Sequence, residues 1–179
     1  TGSVTLTAGG GTSPYTYKNG TGSYQASATF STLAAGSYTF TVKDANGCTQ
    51  TVTSTVTEPT ALTLSGSVTN VDCKGNSTGS VTLTAGGGTS PYTYKNGTGS
   101  YQTSATFSTL AAGSYTFTVK DANGCTQTVT STVTEPTALT LSGSVTNVDC
   151  KGNSTGSVTL TAGGGTSPYT YKNGTGSYQ

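Results

Sequence analysis

The chain repeats itself, and the period of the repeat limits what it can fold into. Thr1-Gly2-Ser3-Val4-Thr5-Leu6 returns at Thr78 and again at Thr155. Laid over itself with Thr1 on Thr78, the sequence shows one difference, Ala26 against Thr103. Solenoid units run to about 20–50 residues and lean on their neighbours for a core. A 77-residue period is the size of a small domain that closes a core of its own. Glu58-Pro59-Thr60 and Glu135-Pro136-Thr137 punctuate the repeat. That phase predicts three domains: residues 1–59, a repeat without its first strand; 60–136, a complete repeat; and 137–179, a repeat that stops before its last strands. The expectation is a string of such domains continuing in both directions. Proline at each junction fixes φ, removes a donor and biases the preceding glutamate toward extended geometry. With so short a linker, successive domains are expected to be nearly collinear.

Within one period the strand signals are dense and helix signals are missing. Tyr115-Thr-Phe117-Thr-Val119-Lys120 and Val81-Thr-Leu83-Thr-Ala85 alternate apolar with polar, as do Leu62-Thr-Leu64 and the Val129 and Val133 segment. Such alternation gives strands with one face in a core and one in water. Gly86-Gly87-Gly88, Ser90-Pro91, Asn96-Gly97, Ala112-Gly113 and Asn123-Gly124 supply the breaks. Asp121-Ala-Asn-Gly124 reads as a tight hairpin in which Asn-Gly takes positive φ. Strands are predicted near 61–71, 79–86, 91–96, 99–103, 104–110, 114–121 and 125–134. About seven short strands per 77-residue repeat, all β, predict tandem immunoglobulin-like β-sandwich domains. Leu110-Ala-Ala-Gly-Ser-Tyr115 reads as a tyrosine corner. The predicted core is Leu62, Leu64, Val68, Val81, Leu83, Tyr92, Tyr94, Phe107, Leu110, Tyr115, Phe117, Val119, Val129 and Val133. That is thin for a domain of this size, which is marginal without reinforcement.

Composition argues against several classes of function. Only 7% of residues are charged, all seven cations are lysine, and the net charge is +1. No basic face exists to hold a phosphate backbone, so no nucleic acid is expected. No apolar run approaches the roughly 18–20 residues of a membrane span. Histidine is absent. Each repeat holds two aspartates and one glutamate, Asp72, Asp121 and Glu135, placed on turns and a linker. No nucleophile with a base, no carboxylate pair and no CxxC are present, so no catalytic residue, cofactor or metal site is expected, and no enzyme. Asp121-Ala-Asn-Gly124 is too poor in oxygen ligands for a calcium loop and reads as a turn. The Gly-Gly-Gly run leads into no helix and ends a strand; it is not a phosphate cradle.

Three motifs carry a resemblance. Gly86-Gly-Gly-Thr-Ser-Pro91-Tyr92-Thr-Tyr94, then Leu110-Ala-Ala-Gly-Ser-Tyr115-Thr-Phe-Thr-Val-Lys-Asp121-Ala-Asn-Gly-Cys125, and Val71-Asp-Cys73-Lys-Gly-Asn-Ser-Thr-Gly-Ser80 are similar to the successive segments of SprB repeats. The likeness extends over the whole period. It departs at Lys95-Asn96, where the family often has tryptophan, and in the near-identity of the copies. The resemblance implies very long surface proteins of Bacteroidota, exported by type IX secretion, in adhesion or gliding. It implies an extracellular, cell-surface location and a structural repeat: a spacer or fibre-forming unit of a filament or adhesin stalk. Its partners would be copies of itself, in tandem and laterally in a fibre. The alternative is a glycan- or protein-binding module repeated for avidity.

A secreted setting makes disulfides the default for Cys48, Cys73, Cys125 and Cys150. Three arrangements stay open. Cys73 with Cys125 inside one repeat would be worth about 4 kcal/mol by chain entropy. In strict immunoglobulin topology, however, the two turns lie roughly 20–30 Å apart, against the ~4.4–6.8 Å between Cα atoms that a disulfide needs. A staple from Cys73 to the next repeat's equivalent of Cys125 is the second arrangement, and free thiols the third. Cys48 with Cys73 would need the last strand of one repeat and the first of the next to fold back on each other. Tyr92, Tyr94 and Tyr101 are the candidate ligand platform, since aromatic faces stack on sugars. Burial of these rings favours the spacer, and a clustered exposed platform favours binding.

Overall fold

The structure is a computed structural model and describes residues 2–179. It divides into two compact units, Thr1–Thr60 and Ala61–Gln179.

The first unit holds β1 (Gly2–Thr5), β2 (Thr16–Asn19), β3 (Thr29–Leu33), β4 (Gly36–Lys43) and β5 (Thr49–Val56). They form a two-stranded sheet, β1-β3, and a three-stranded sheet, β2-β4-β5, both antiparallel. Phe40 is fully buried between them and meets Phe30 at 4.9 Å between ring centres.

The second unit begins with the complete repeat: β6 (Thr63–Thr69), β7 (Gly79–Gly86), β8 (Thr93–Asn96), β9 (Thr106–Leu110), β10 (Gly113–Lys120) and β11 (Thr126–Val133). Sheet β6-β7-β9 faces sheet β8-β10-β11. Period-two alternation turns Val81, Leu83, Phe117 and Val119 inward, where all four are buried. Outward threonines meet across the strands, with Thr116 and Thr130 hydroxyls 3.2 Å apart. The corner read from the sequence forms: Tyr115 donates its hydroxyl to the Ala111 carbonyl at 3.0 Å, and Tyr38 does the same to Ala34.

Three expectations need correction. The complete repeat has six strands in its sheets, not seven. The strand expected at 99–103 is reduced to a reciprocal bridge between Tyr94 and Gln102. The Gly99 amide is taken by the Asn96 carbonyl in the turn before it, at 2.9 Å, and the Gln102 side chain donates to the Ser104 and Thr106 carbonyls. Second, only Gly124 takes positive φ in the β10–β11 turn, at 84°. The Asp121 carboxylate does what a second left-handed residue would have done, accepting the amides of Asn123 and Cys125. Third, Val68 is 37% exposed near the end of edge strand β6, and Val71 in the following loop is buried instead. A 3.0 Å bond from the Val71 amide to the Thr134 carbonyl draws it in.

The unit continues with β12 (Thr140–Thr146) and β13 (Ser157–Gly163), paired antiparallel in the register of β6 with β7.

Candidate functional site

The chain's chemistry sits at the two ends of the repeat. At one end β6 turns into β7 through loop 70–78. Asp72 opens this loop, and its Oδ1 accepts from the Thr78 hydroxyl at 2.7 Å, the Asn76 amide at 3.1 Å and the Cys73 amide at 2.7 Å. The Thr78 hydroxyl, then Asn76, hold this carboxyl below the ordinary aspartate range. The junction glutamate docks on the same loop. Lys74 Nζ donates to Glu135 Oε1 at 2.8 Å and the Gly75 amide to Oε2 at 2.7 Å. Lys74 first, then the Gly75 amide, lower the Glu135 pKa. The Asn70 side chain accepts from the Thr134 amide at 3.0 Å. The last residues before the proline are therefore tied back to their own repeat at four points: Val71 and Asn70 to Thr134, and Lys74 and Gly75 to Glu135.

At the other end lies the β10–β11 turn. Asp121 is buried, and its Oδ2 accepts the Thr89 amide at 3.0 Å. The Asn123 side chain donates to the Thr89 hydroxyl at 2.9 Å. The turn is thus pinned to the glycine loop, in which Gly87 and Gly88 have φ of 64° and 60°. A Cβ on Gly88 would stand 2.8 Å from Asp121 Oδ2, so both the left-handed backbone and the close approach call for glycine. The copy in the first unit is built alike, and there the Thr12 amide foremost lowers the Asp44 pKa. With three backbone amides on its two oxygens, Asp121 serves as a structural pin.

All four cysteines are exposed and unpaired. Cys73 lies in loop 70–78, beside Glu135; Cys125 closes the β10–β11 turn. Eight residues of strand separate that turn from Thr134, roughly 27 Å, so the two cysteines occupy opposite ends of the repeat. The three tyrosines are not equivalent. Tyr94 is buried, and burial raises its hydroxyl pKa. Tyr92 is half-buried and donates to the Gly87 carbonyl at 2.6 Å. The Tyr101 ring is half-buried with Lys120 Nζ at 4.2 Å and Lys95 Nζ at 5.1 Å from its centre. Sequence reasoning missed Val71 and the Glu135 clamp. The Glu-Pro-Thr punctuation marked the clamp's position, but nothing local pointed to partners near the start of the same repeat.

A cavity of about 550 Å³ joins Cys73 and Lys74 of loop 70–78 to Leu139, Gly165, Thr166 and Tyr169 of the following copy. Among the described residues no three His, Cys, Asp or Glu side chains converge as metal ligands, and no helix is long and apolar enough to cross a membrane.

Residues 65–102 and 142–178 match the family model of the SprB repeat. Both segments are similar to SprB repeats, and together they cover less than half of the chain. No curated protein and no solved structure matches the chain. Residues 1–25 are identical to 78–102, so the same sequence recurs outside the matched segments. The chain is an all-β repeat protein.

Proposed function

We propose that the chain is a spacer of a long, secreted cell-surface filament or adhesin stalk, with 1–59, 60–136 and 137–179 as successive immunoglobulin-like domains. One observation carries this reading: the end of the complete repeat is clamped to its own loop 70–78. Glu135 is held by Lys74 and Gly75, and Thr134 by Val71 and Asn70. Proline follows at once, so little free chain is left at the junction to bend. A repeat whose first strand starts at one end and whose last strand leaves at the other adds its length to the array. Ten extended residues give about 35 Å per repeat.

The surface supports the same reading. Cross-strand threonine pairs such as Thr116 with Thr130 and Thr82 with Thr106 occupy their hydroxyls with one another. They leave a neutral outer face that keeps neighbouring stalks apart while staying wet. The tyrosines lend little to a sugar platform, since Tyr94 is buried and the Tyr92 hydroxyl is already bonded. The proposed partners are other copies of the repeat, and the proposed setting is extracellular.

Negative-stain images of chains with increasing numbers of repeats test the reading. Unbranched rods should lengthen by about 35 Å per repeat at constant width. Compact particles whose length does not grow with repeat number would overturn it.

A further inference from the structure

Two cavities in separate parts of the molecule place the two cysteine types against the same feature of the repeat. In the second unit, Cys73 shares a cavity with Gly165, Thr166 and Tyr169 of the copy that follows it. In the first unit, Cys48, in the β4–β5 turn, shares a cavity with Gly10, Gly11 and Tyr15 of its own copy. Gly165 and Tyr169 are the 77-residue equivalents of Gly88 and Tyr92, and Gly11 and Tyr15 are their equivalents in the first copy. The turn cysteine therefore lines a cavity with the glycine loop of its own repeat, while the loop-70–78 cysteine lines a cavity with the glycine loop of the next. The Asp121–Thr89 bond, repeated as Asp44–Thr12, fixes the turn to the glycine loop in both copies where the turn is present.

We infer that consecutive repeats are stapled by a disulfide from the Cys73 position of one repeat to the Cys125 position of the next. The inference rests on the tandem-array reading above. Pairing inside one repeat is excluded by the roughly 27 Å between its ends. Cys73 and Cys125 are both exposed, each at its own end of the repeat. Two thiols lose two protons and two electrons as the S–S bond forms. A small-molecule disulfide such as oxidised glutathione accepts them and leaves as two thiols. The staple bypasses the Glu-Pro-Thr linker with a second covalent connection, so tension on the array is shared by two strands at every junction. It also supplies the reinforcement that a small core lacks.

The test uses the chain continued through residues 103–136 of the repeat, which completes its third copy. Cys48, Cys125 and Cys150 are replaced by serine, leaving Cys73 and the turn cysteine of the completed copy. Equilibration with oxidised glutathione should take both thiols of the monomer out of reach of a thiol reagent and yield one cross-linked tryptic peptide pair. A sister chain keeping only Cys73 and Cys125 should retain both thiols. Free thiols in the first variant, cross-links only between chains, or an internal cross-link in the sister would overturn the staple. Hydrogen exchange on the first variant separates the two levels of the argument. A protected third copy with free thiols sinks the staple alone, whereas an unprotected third copy sinks the tandem reading and the staple with it.

Discussion

Residues 60–102 and 137–179 are the same sequence in two settings. In the first, strands β9 to β11 close over it; the second ends at Gln179, ahead of the positions equivalent to those strands. The apolar positions respond at once. Val81 is fully buried and its copy Val158 is 64% exposed; Val71 is 4% exposed and Val148 50%. Local structure barely notices. β12 pairs with β13 in the register of β6 with β7, and Asp149 accepts from Cys150, Asn153 and Thr155 just as Asp72 does from its own loop. What disappears is the strand with no local partner. Residues 93–96 form β8 because β10 pairs with them, while their copies at 170–173 form no strand. Hairpins and loops of this repeat are written locally. The sandwich is written between strands that lie far apart along the chain.

That difference is best broken at one methyl-bearing side chain. Val81→Ala removes buried volume from a closed core and should cost about 2–3 kcal/mol. Val158→Ala changes the same residue on an open face and should fall within about 0.5 kcal/mol. Urea melts of the two variants read both values. Equal losses would mean that 137–179 buries its apolar face in solution. Glycine offers a second contrast. A Cβ at Gly79 would stand 2.6 Å from Val133 Cγ1 and 2.8 Å from the Leu110 carbonyl, contacts supplied by later strands. At Gly156 the nearest atoms, Thr146 O and Val148 Cγ1, are 3.2 Å away. Gly79→Ala should therefore cost about 1–3 kcal/mol and Gly156→Ala distinctly less, by the same melts.

The contrast also explains what sequence reasoning could reach. Alternation located four of the six sheet strands of the complete repeat, and the Leu110 to Tyr115 motif located the corner, because both signals lie within a short stretch of chain. Val71 escaped because Asn70 breaks the alternation, and only the Thr134 carbonyl draws it inward. The expected strand at 99–103 failed for a neighbouring reason. Its first residue, Gly99, is spent on the preceding turn through its bond to the Asn96 carbonyl, and only Gln102 pairs, with Tyr94. Within the candidate site, the Asp121 turn was legible as a turn. Its pin to Thr89, back in the glycine loop, was not, and neither was the clamp on Glu135. Both depend on which ends the topology brings together, and a period-two pattern carries no such information.

One strand of the complete repeat stores strain that its partner imposes. β7 and β9 slip register between Gly79 and Val81, and Thr109, in the bulge opposite, is driven to φ 57°. Thr32 repeats this at 59°. A β-branched residue there costs roughly 1–3 kcal/mol, against about 0.5–1 kcal/mol for the extra chain entropy of glycine. The Thr109 hydroxyl only reaches back to the Ser108 carbonyl, at 2.6 Å. Thr109→Gly should therefore stabilise the repeat by about 1 kcal/mol, read as a rise in melting temperature. A fall would show that the hydroxyl or methyl packs against something that offsets the strain.

The smallest effect falls on the charge pair at the junction. Asp72 and Asp149 are lowered alike in both settings, because their partners are local. Glu135 is lowered by Lys74 and Gly75, which only the folded repeat delivers. Its folded pKa lies below its unfolded one, so its contribution is complete above the ordinary glutamate range near about 4.3. That contribution fades as the pH falls through the folded value. Lys74 is half in solvent, so the pair is screened and its effect modest. Glu135→Gln should melt slightly below the parent chain at neutral pH, and the two melting curves should converge as the pH is lowered past that range. The aspartates lose stability in the same direction, but they do so in both chains and cancel in the difference. A gap that persists unchanged in acid would mean that Glu135 acts through the shape of the junction and not through its charge.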